Sequence, residues 1–251
     1  MFDLKGKVAL VTGAGRGMGK SHSILLAQSG AKVAVTDINE KECRQVADEI
    51  KKKGGEAVSF KMDVSQKSEI ENVIKETIKR FSSLDILVNN AGIFSPKSAL
   101  DITEEEWDRT ININLRGEFL CAQIAAKEMA KNKWGRIINI SSIASGGTGI
   151  GFEGAAHYSA SKGGIIGMTE TLAVELAPLG ITVNAVSPGA IETPMIGPVS
   201  EELKEEIRLR VPLQRIGKPE EVSALVVFLA SKEASYITGA TFYIDGGWLA
   251  K

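Results

Sequence analysis

Tyr158 and Lys162 lie four positions apart in the stretch Tyr158-Ser159-Ala160-Ser161-Lys162. In an α-helix this spacing is about one turn, so both side chains would lie on one face. At about 4 Å and an effective dielectric constant near 20, an ammonium group favours a phenolate by roughly 4 kcal/mol. The phenolate can then take a proton from a hydroxyl group near neutral pH. The pair therefore predicts an acid/base site, and the alternative is a tyrosine that packs its ring beside a solvated lysine.

A glycine-rich segment, residues 12–19, follows a short apolar run and leads directly into a helical stretch. Glycines at such a junction let the backbone approach a pyrophosphate, which binds the free N–H groups and the positive dipole end of the helix. The spacing is GxxxGxG rather than the common GxGxxG. A turn that merely requires positive φ angles is the alternative. The expected dinucleotide contacts are Gly13, Arg16, Gly17, Met18 and Gly19.

Asp37 ends the second apolar run, 18 residues beyond Gly19. A carboxylate at this place can accept hydrogen bonds from both ribose hydroxyls of NAD, whereas the 2′-phosphate of NADP would meet a like charge. Ile38 is expected to contact the same nucleotide. Asp37 therefore predicts NAD as the cofactor, although a role as N-cap of the helix that starts near Glu40 is also open.

Seven short runs rich in β-branched residues could form the strands that position these groups. Because they are apolar without alternation, we expect strands buried on both faces of a sheet. The runs are 8–11, 33–35, 57–60, 86–88, 137–140, 181–186 and 242–244.

Segments with helical period lie between these runs, with Cys43 and Val46 on one apolar face and Ile70 and Val73 on another. Residues 103–106 form a capping-box pattern and Pro219 opens a later helix. The alternation predicts an α/β fold, a Rossmann-like doubly wound parallel sheet of about seven strands with helices on both faces. No linker or repeat interrupts it, so a single domain over residues 1–251 is expected.

Composition excludes several functional classes. The formal net charge is −1, so no nucleic-acid partner is expected. Cys43 and Cys121 lack metal-ligand spacing, which predicts two reduced, buried thiols and no metal site. The start of the sequence lacks the apolar core of a signal peptide, and the longest apolar run, residues 224–230, is too short to span a bilayer. We expect a cytoplasmic protein without membrane contacts.

Together, these motifs and several others resemble the short-chain dehydrogenase/reductase family over essentially the whole chain. In chain order they are the TGxxxGxG loop, Asn89-Asn90-Ala91-Gly92, Asn114, Ser142, the Tyr158–Lys162 pair, Pro188-Gly189, Thr193 and Asp245-Gly246-Gly247. A YxxxK match alone arises often by chance, but several motifs in the family's order are specific. The stretch between Ser142 and Tyr158 contains five glycines and is longer than is common in the family.

The resemblance implies roles for individual residues. Tyr158 would be the catalytic acid/base, Lys162 its partner, Ser142 the hydroxyl that orients the substrate, and Asn114 part of a proton relay. A turn hydroxyl for Ser142 and an amide bonded to backbone for Asn114 are the structural alternatives. The residues expected to bind the cofactor, besides those of the glycine loop, are Asp37, Ile38, Asp63, Val64, Asn90, Ala91, Gly92, Tyr158, Lys162, Pro188, Gly189, Ile191 and Thr193.

The substrate pocket is expected to be apolar and partly covered by a lid. We expect residues 193–212 to form this lid, with regular structure interrupted by Pro194, Gly197 and Pro198. An apolar pocket favours an uncharged alcohol or ketone. The residues expected to contact substrate are Phe94, Ser142, Ile143, Ile150, Phe152, Tyr158 and Met195. His157, beside the tyrosine, is a further candidate, but a capping or surface role is favoured for it.

We therefore expect an oxidoreductase that transfers a hydride between NAD(H) and a secondary alcohol or ketone, with no metal. The resemblance also implies a homotetramer. A 3-oxoacyl-acyl-carrier-protein reductase is the nearest alternative enzyme, but it would normally take NADPH, which Asp37 disfavours. A regulator that binds a dinucleotide without turnover is the alternative from another class, and the four filled catalytic positions weigh against it.

Overall fold

The computed structural model describes residues 2–196 and 200–250, and within these ranges seven parallel strands form one sheet in the order β3-β2-β1-β4-β5-β6-β7. Each predicted strand is confirmed to within two residues at either end. The strands are β1 (Val8–Val11), β2 (Lys32–Asp37), β3 (Ala57–Lys61), β4 (Ile86–Asn89), β5 (Gly135–Ile140), β6 (Ile181–Pro188) and β7 (Thr241–Ile244).

Successive residues of a strand face opposite sides of the sheet, and both sides are covered. Ala9 and Val11 of β1 belong to one apolar cluster, while Leu10 between them belongs to the other. All three are at most 1% exposed. This double burial explains why the strand sequences are apolar without alternation.

The helices lie on both faces of the sheet, as predicted. They are α1 (Gly17–Gln28), α2 (Glu40–Lys52), α3 (Lys67–Phe81), α4 (Glu104–Ile111), α5 (Gly117–Met129), α6 (Ala156–Leu176), α7 (Glu201–Arg210) and α8 (Pro219–Ala230). Buried side chains of α1, α2 and α8 join the first cluster, and those of α3, α5 and α6 join the second. The predicted apolar faces, such as Cys43 and Val46 in α2, are buried.

Helix starts follow the expected capping chemistry. The Thr103 hydroxyl accepts a hydrogen bond from the Glu106 backbone N–H at 3.3 Å, and the Glu106 carboxylate accepts one from the Thr103 N–H at 3.0 Å. This reciprocal pair is the predicted capping box. Pro219 occupies the first turn of α8, where its missing N–H costs no hydrogen bond.

A π-helical turn, Asn112–Arg116, joins α4 to α5. It places one extra residue in the turn, which changes the direction of the side chains relative to a continuous α-helix. Asn114 lies in this turn and is fully buried. The sequence pattern indicates a helix at this place but does not show the π-turn.

The segment over residues 193–212 is more regular than predicted. Residues 194–196 form a 3₁₀ turn and α7 follows, so the expectation of interrupted structure is wrong for residues 201–210. These ten residues are mostly strong helix formers with acid–base pairs at helical spacing, such as Lys204 with Glu201. Gly197 and Pro198, two of the three expected breakers, lie outside the described residues.

β1 lies between β2 and β4, so the winding of the sheet reverses at this point. In doubly wound sheets a crevice forms there, outside the carboxyl ends of the strands. The loops after β1 and β4, residues 12–16 and 90–92, meet at this crevice. None of the described helices combines the length and apolarity that a bilayer crossing requires.

Candidate active site

The loop between β1 and α1 brings bare backbone to the crevice. Gly13 and Gly17 have φ angles of +61° and +55°, which side chains rarely adopt. A Cβ atom on Gly19 would lie 2.2 Å from the Gly13 carbonyl oxygen, so no side chain fits at this position. These three positions therefore accept only glycine. The concave loop that results lies at the amino end of a helix and fits a diphosphate.

The loop is fixed by the end of β4. The Thr12 hydroxyl accepts hydrogen bonds from the backbone N–H groups of Asn90 and Ala91, at 3.0 and 2.9 Å. The Asn90 side-chain amide donates to the carbonyl oxygens of Thr12 and Gly13, both at 3.0 Å. Thr12 is 1% exposed, so these bonds are shielded from water. The two loops therefore form one rigid wall of the site.

A cleft of about 880 Å³ opens above these loops, and it is large enough for most of a dinucleotide. Most of the residues expected to bind the adenosine and diphosphate line it. These are Gly13, Arg16, Gly17, Met18, Asp37, Ile38, Asp63, Val64, Asn90, Ala91 and Gly92. Gly19 lies beneath the loop as a buried residue instead of lining the cleft.

Asp37 lines the cleft at the end of β2. One carboxylate oxygen accepts a hydrogen bond from the Gly15 N–H at 3.1 Å and the other from the Asn39 N–H at 3.0 Å. The N-cap of α2 is Asn39, whose side chain accepts from the Glu42 N–H, so the alternative role of Asp37 as the cap is wrong. Each carboxylate oxygen can still accept a further hydrogen bond from a ligand.

The residues expected around the nicotinamide are only partly brought together. Thr193 lines the main cleft, and a Cβ on Gly17 would lie 3.6 Å from the Thr193 Cβ, so the start of the proposed lid touches the glycine loop. Ile191 is buried and lines a separate cavity of about 100 Å³. Pro188 ends β6, and the Gly189 N–H donates to the Ile244 carbonyl at 3.0 Å. Pro188, Gly189 and Ile191 do not line the main cleft.

Tyr158 and Lys162 lie one turn apart near the start of α6. The Lys162 Nζ is 5.8 Å from the centre of the Tyr158 ring. The Phe94 ring, which lines the cleft, is 4.8 Å from the Tyr158 ring between centroids. Lys162 lies beside Gly92, another cleft residue, since a Cβ there would be 3.7 Å from Nζ. The pair is thus adjacent to the cleft, with Tyr158 half-buried.

The Lys162 side chain is only 5% exposed and its Nζ donates to the Ile140 carbonyl oxygen at 2.7 Å. This bond fixes the ammonium group at the end of β5. The Ser141 hydroxyl in turn donates to the Lys162 carbonyl at 2.8 Å. β5 and α6 are therefore tied together at the residue that the sequence predicts to act on Tyr158.

The Asn114 amide is fully engaged with backbone and a hydroxyl. Its nitrogen donates to the Ile93 carbonyl at 2.9 Å and to the Ser161 hydroxyl at 3.2 Å, while its oxygen accepts from the Ile93 N–H at 2.8 Å. The structural alternative foreseen for Asn114 is therefore present. These bonds hold the loop after β4 against α6, close to the Tyr158–Lys162 pair.

Ser142 follows β5, and its hydroxyl oxygen accepts from the Ala144 N–H at 3.1 Å. This is the turn contact foreseen as an alternative, and the hydroxyl hydrogen is left to donate elsewhere. Ile143 is buried and Ile150 is half-buried. Met195 lines the main cleft with Phe94, whereas Ser142, Ile143 and Phe152 do not. His157 is 2% exposed, which places it inside the protein rather than at the surface.

Sequence reasoning missed two residues near this site. The Trp248 ring lies 6.0 Å from the Phe152 ring, so the end of the chain packs against the glycine-rich stretch before α6. Glu118, in the first turn of α5, lies 3.8 Å from the Lys162 Nζ and is 2% exposed. A charged residue among buried small and apolar residues of α5 was the available signal for Glu118.

The residues present fit a nicotinamide dinucleotide: a glycine cradle for the diphosphate, a carboxylate at the end of β2, and a tyrosine–lysine pair beside the cleft. Within residues 2–196 and 200–250, no three His, Cys, Asp or Glu side chains come together as a metal site. The described part of the chain thus offers general acid/base chemistry next to a nucleotide cleft.

Comparisons with known proteins agree over almost the full length. The family model described as enoyl-(acyl carrier protein) reductase matches residues 13–249. The 3-oxoacyl-[acyl-carrier-protein] reductase FabG of Thermotoga maritima is 43% identical over 245 residues, which cover 97% of this chain and 98% of that protein. The (2S)-[(R)-hydroxy(phenyl)methyl]succinyl-CoA dehydrogenase subunit BbsD of Thauera aromatica is 38% identical over 244 residues, 97% of each chain.

A crystal structure of a short-chain type dehydrogenase/reductase from Mycobacterium marinum superposes with a TM-score of 0.93 at 39% identity. The superposition covers 98% of this chain and 97% of that chain. Sequence motifs, sheet order, cleft and relatives therefore agree, and the chain belongs to the short-chain dehydrogenase/reductase family of oxidoreductases, whose members bind a nicotinamide dinucleotide.

Proposed function

We propose that this protein transfers a hydride between NAD(H) and the carbon of a secondary alcohol or ketone, with Tyr158 as the general acid/base. The observation that carries the proposal is the Tyr158–Lys162 pair beside the cleft, with Nζ 5.8 Å from the ring centre and Phe94 bridging the ring to the cleft. Acid/base groups next to a dinucleotide cleft suit reactions that move a hydride and a proton together.

The nicotinamide ring, when bound, supplies the hydride chemistry. The chain's own residues handle the proton and the substrate oxygen. In the direction of alcohol oxidation, Tyr158 takes the hydroxyl proton onto its phenolate oxygen, and in ketone reduction it returns that proton. The Lys162 ammonium favours the phenolate by Coulomb attraction. Ser142 donates its free hydroxyl hydrogen to the substrate oxygen and orients it.

NAD(H) is the proposed cofactor because of Asp37. Its two carboxylate oxygens lie in the cleft and each can accept one more hydrogen bond, which suits the two hydroxyls of a ribose. A 2′-phosphate in the same place would meet the negative charge. Arg16, Gly17 and Met18 would hold the diphosphate, with Ile38, Asp63 and Val64 around the adenosine and Asn90, Ala91 and Gly92 beneath it. Pro188, Gly189, Ile191 and Thr193 would hold the carboxamide.

The proposed substrate is an uncharged alcohol or ketone with some apolar bulk. Phe94 and Met195 are 37% and 47% exposed, respectively, and both line the cleft, with the Phe94 ring against Tyr158. Ile143 and Phe152 would complete the apolar wall. The segment over residues 193–212 would act as the lid, since Thr193 and Pro194 already lie against the glycine loop.

A second candidate is the reduction of a 3-oxoacyl thioester. The FabG relative is named for that reaction, and the BbsD relative is named as a dehydrogenase of a hydroxylated acyl-CoA. Both names describe a secondary alcohol or ketone carbon next to a carrier thioester. The same Tyr158 chemistry serves this substrate class, and only the pocket and the cofactor preference distinguish the two candidates.

We also propose that residues 1–251 form one domain that assembles as a homotetramer. Val174 of α6 is 77% exposed and Phe119 of α5 is 39% exposed, which leaves apolar surface on both helices that a neighbouring protomer would cover. Sedimentation equilibrium would give the number of protomers directly. A monomer at micromolar concentration would contradict this assembly.

The function is tested by following NADH absorbance with secondary alcohols, polyols, ketones and 3-oxoacyl thioesters, each with NAD(H) and NADP(H). Tyr158→Phe should lower kcat by about 10²- to 10⁴-fold, the usual contribution of a general acid/base, while NADH binding persists. Tyr236→Phe, at a fully exposed tyrosine, is the matched control and should leave kcat unchanged. An unchanged rate in Tyr158→Phe would show that the mechanism is wrong.

A further inference from the structure

Glu118 is a carboxylate inside the protein, in the first turn of α5. Its side chain is 2% exposed. Neither carboxylate oxygen has a hydrogen-bond partner among the residues that the structure describes. A buried charge without compensation is costly, so such a group either takes up a proton or depends on a nearby cation.

The nearby cation is Lys162. Its Nζ lies 3.8 Å from Glu118 Oε1, within ion-pair distance, and it donates a hydrogen bond to the Ile140 carbonyl at 2.7 Å. The lysine side chain is itself only 5% exposed. Burial disfavours an ammonium ion as well, and one carbonyl oxygen does not replace its hydration shell. The carboxylate is the negative charge that stabilises this ammonium.

Around the pair, β4 and β5 present uncharged amides, and α6 contributes the Tyr158 ring, whose centre lies 5.8 Å from the Lys162 Nζ. β4 and β5 contribute Asn89 and Asn139, whose side chains are hydrogen-bonded to each other at 3.0 Å. Cys121 lies on α5 itself, and burial together with the Glu118 charge raises the pKa of its thiol. Of the charged groups on the described elements packed around α5, Lys162 is the one that acts on the Glu118 carboxyl. The Lys162 charge therefore opposes the effect of burial on the Glu118 carboxyl.

Resting on the acid/base role proposed above for Tyr158 and Lys162, we propose that Glu118 is a positioning residue, whose carboxylate is the buried counter-ion that holds the Lys162 side chain beside Tyr158 in alkaline solution. Glu118 touches neither the cleft nor the reacting atoms. It acts on Tyr158 and on the bound dinucleotide through Lys162, whose Nζ lies 3.8 Å from its carboxylate.

Burial raises the pKa of Glu118 to about 8, and the Lys162 charge opposes this rise. Below that pH the carboxyl is neutral, and a glutamine in its place changes no charge. Above it the carboxylate is negative and stabilises the ammonium. Wild type and Glu118→Gln should therefore behave alike in mildly acidic solution and separate as the pH rises.

The test is the pH dependence of kcat/KM for alcohol oxidation, with the best substrate from the panel above. The ratio of wild type to Glu118→Gln should be near one at about pH 6 and exceed 10 at about pH 9.5, where the wild-type carboxyl is ionised and the variant lacks its negative charge. Glu118→Asp should lie closer to wild type than Glu118→Gln. Glu128→Gln, a surface substitution on the same helix, is the control and should match wild type at every pH.

A second measurement needs no turnover. NADH affinity, followed by its fluorescence, should weaken about 10-fold for Glu118→Gln between about pH 6 and about pH 9.5, and stay within a few-fold for wild type and Glu118→Asp. If Tyr158→Phe retains full activity, the proposed function fails, yet this binding measurement still decides the role of Glu118. Superimposed profiles of wild type and Glu118→Gln, or a ratio that is constant across pH, would overturn the inference.

Discussion

Asn90 donates two hydrogen bonds to Thr12, from its backbone N–H to the threonine hydroxyl and from its side-chain amide to the threonine carbonyl, both at 3.0 Å. Thr12 follows β1 and Asn90 follows β4, so the two bonds join the ends of these neighbouring strands where the winding of the sheet reverses. The start of the glycine loop is therefore held in place before any ligand binds, which lowers the entropy cost of binding a diphosphate.

Thr12→Val removes the hydroxyl at nearly constant volume. The N–H groups of Asn90 and Ala91 then lose their acceptor in a place shielded from water, so we expect a loss of about 1–3 kcal/mol in the free energy of unfolding and weaker NADH binding. Urea denaturation and NADH fluorescence measure the two effects. Thr12→Ser keeps the hydroxyl and should retain wild-type NADH affinity; equal losses in both variants would contradict the role given to the hydroxyl.

Gly19→Ala should damage the cofactor site. The added Cβ would lie 2.2 Å from the Gly13 carbonyl oxygen and 2.9 Å from the Ala14 Cα, both backbone atoms that can move only if the loop moves. We expect NADH affinity to fall by roughly 10-fold or more, as binding energy of a few kcal/mol is lost. Titration of NADH fluorescence measures the change.

Gly167→Ala is the matched control for that substitution. Gly167 is an exposed residue of α6, and a Cβ there would meet nothing within 4 Å. Alanine should stabilise the helix by up to about 1 kcal/mol and leave NADH affinity unchanged. Normal NADH binding by Gly19→Ala would show that the loop accommodates a side chain and is not the rigid cradle described above.

Asp37→Asn should relax the choice between cofactors. The amide oxygen can accept from one of the Gly15 and Asn39 N–H groups, and the other loses its acceptor. The negative charge that would repel a 2′-phosphate is lost. We expect the ratio of kcat/KM with NAD to that with NADP to fall by roughly 10- to 100-fold, since like charges a few Å apart cost a few kcal/mol.

Initial rates with both cofactors measure this ratio. Asp48→Asn removes an exposed acid from α2 that is paired with Lys51, and it should leave the ratio unchanged. A wild-type enzyme that prefers NADP, or an Asp37→Asn variant with the wild-type ratio, would show that the cofactor assignment is wrong.

The strands and the glycine loop could be predicted because their signals are local. Ala9, Leu10 and Val11 are apolar in succession because the sheet is covered on both faces. This pattern is visible within the four residues of β1. Likewise, Gly13 and Gly17 are needed by the backbone of their own loop, whatever the rest of the chain does. Such requirements can be predicted because the residues that impose them are close together in the sequence.

The features that were missed depend on distant parts of the chain. Glu118 contacts Lys162 from another helix, and Trp248 packs against Phe152 from a distant part of the sequence. Nothing near Glu118 in sequence indicates its partner. The helix over residues 201–210 was missed for a different reason: the prolines and glycine before it suggested irregular structure, although the residues of α7 itself favour a helix.

Glu118→Gln should make the protein more stable, by an amount that depends on pH. The pKa of the buried carboxyl is raised from an ordinary value of 4.5 to about 8, so between these values the folded state binds a proton that the unfolded state has released. The stability of the wild type therefore declines as the pH rises through this window, and below pH 4.5 the carboxyl is neutral in both states and has no effect.

Glutamine does not titrate, so the difference between the two proteins follows that window. We expect similar free energies of unfolding near about pH 4.5 and an advantage of up to about 4 kcal/mol for Glu118→Gln near about pH 8. Urea denaturation at these two pH values measures the difference, with Glu128→Gln on the same helix as the control. If the advantage of Glu118→Gln does not grow with pH, Glu118 is already ionised in the folded protein and the ion pair with Lys162 fully compensates its burial.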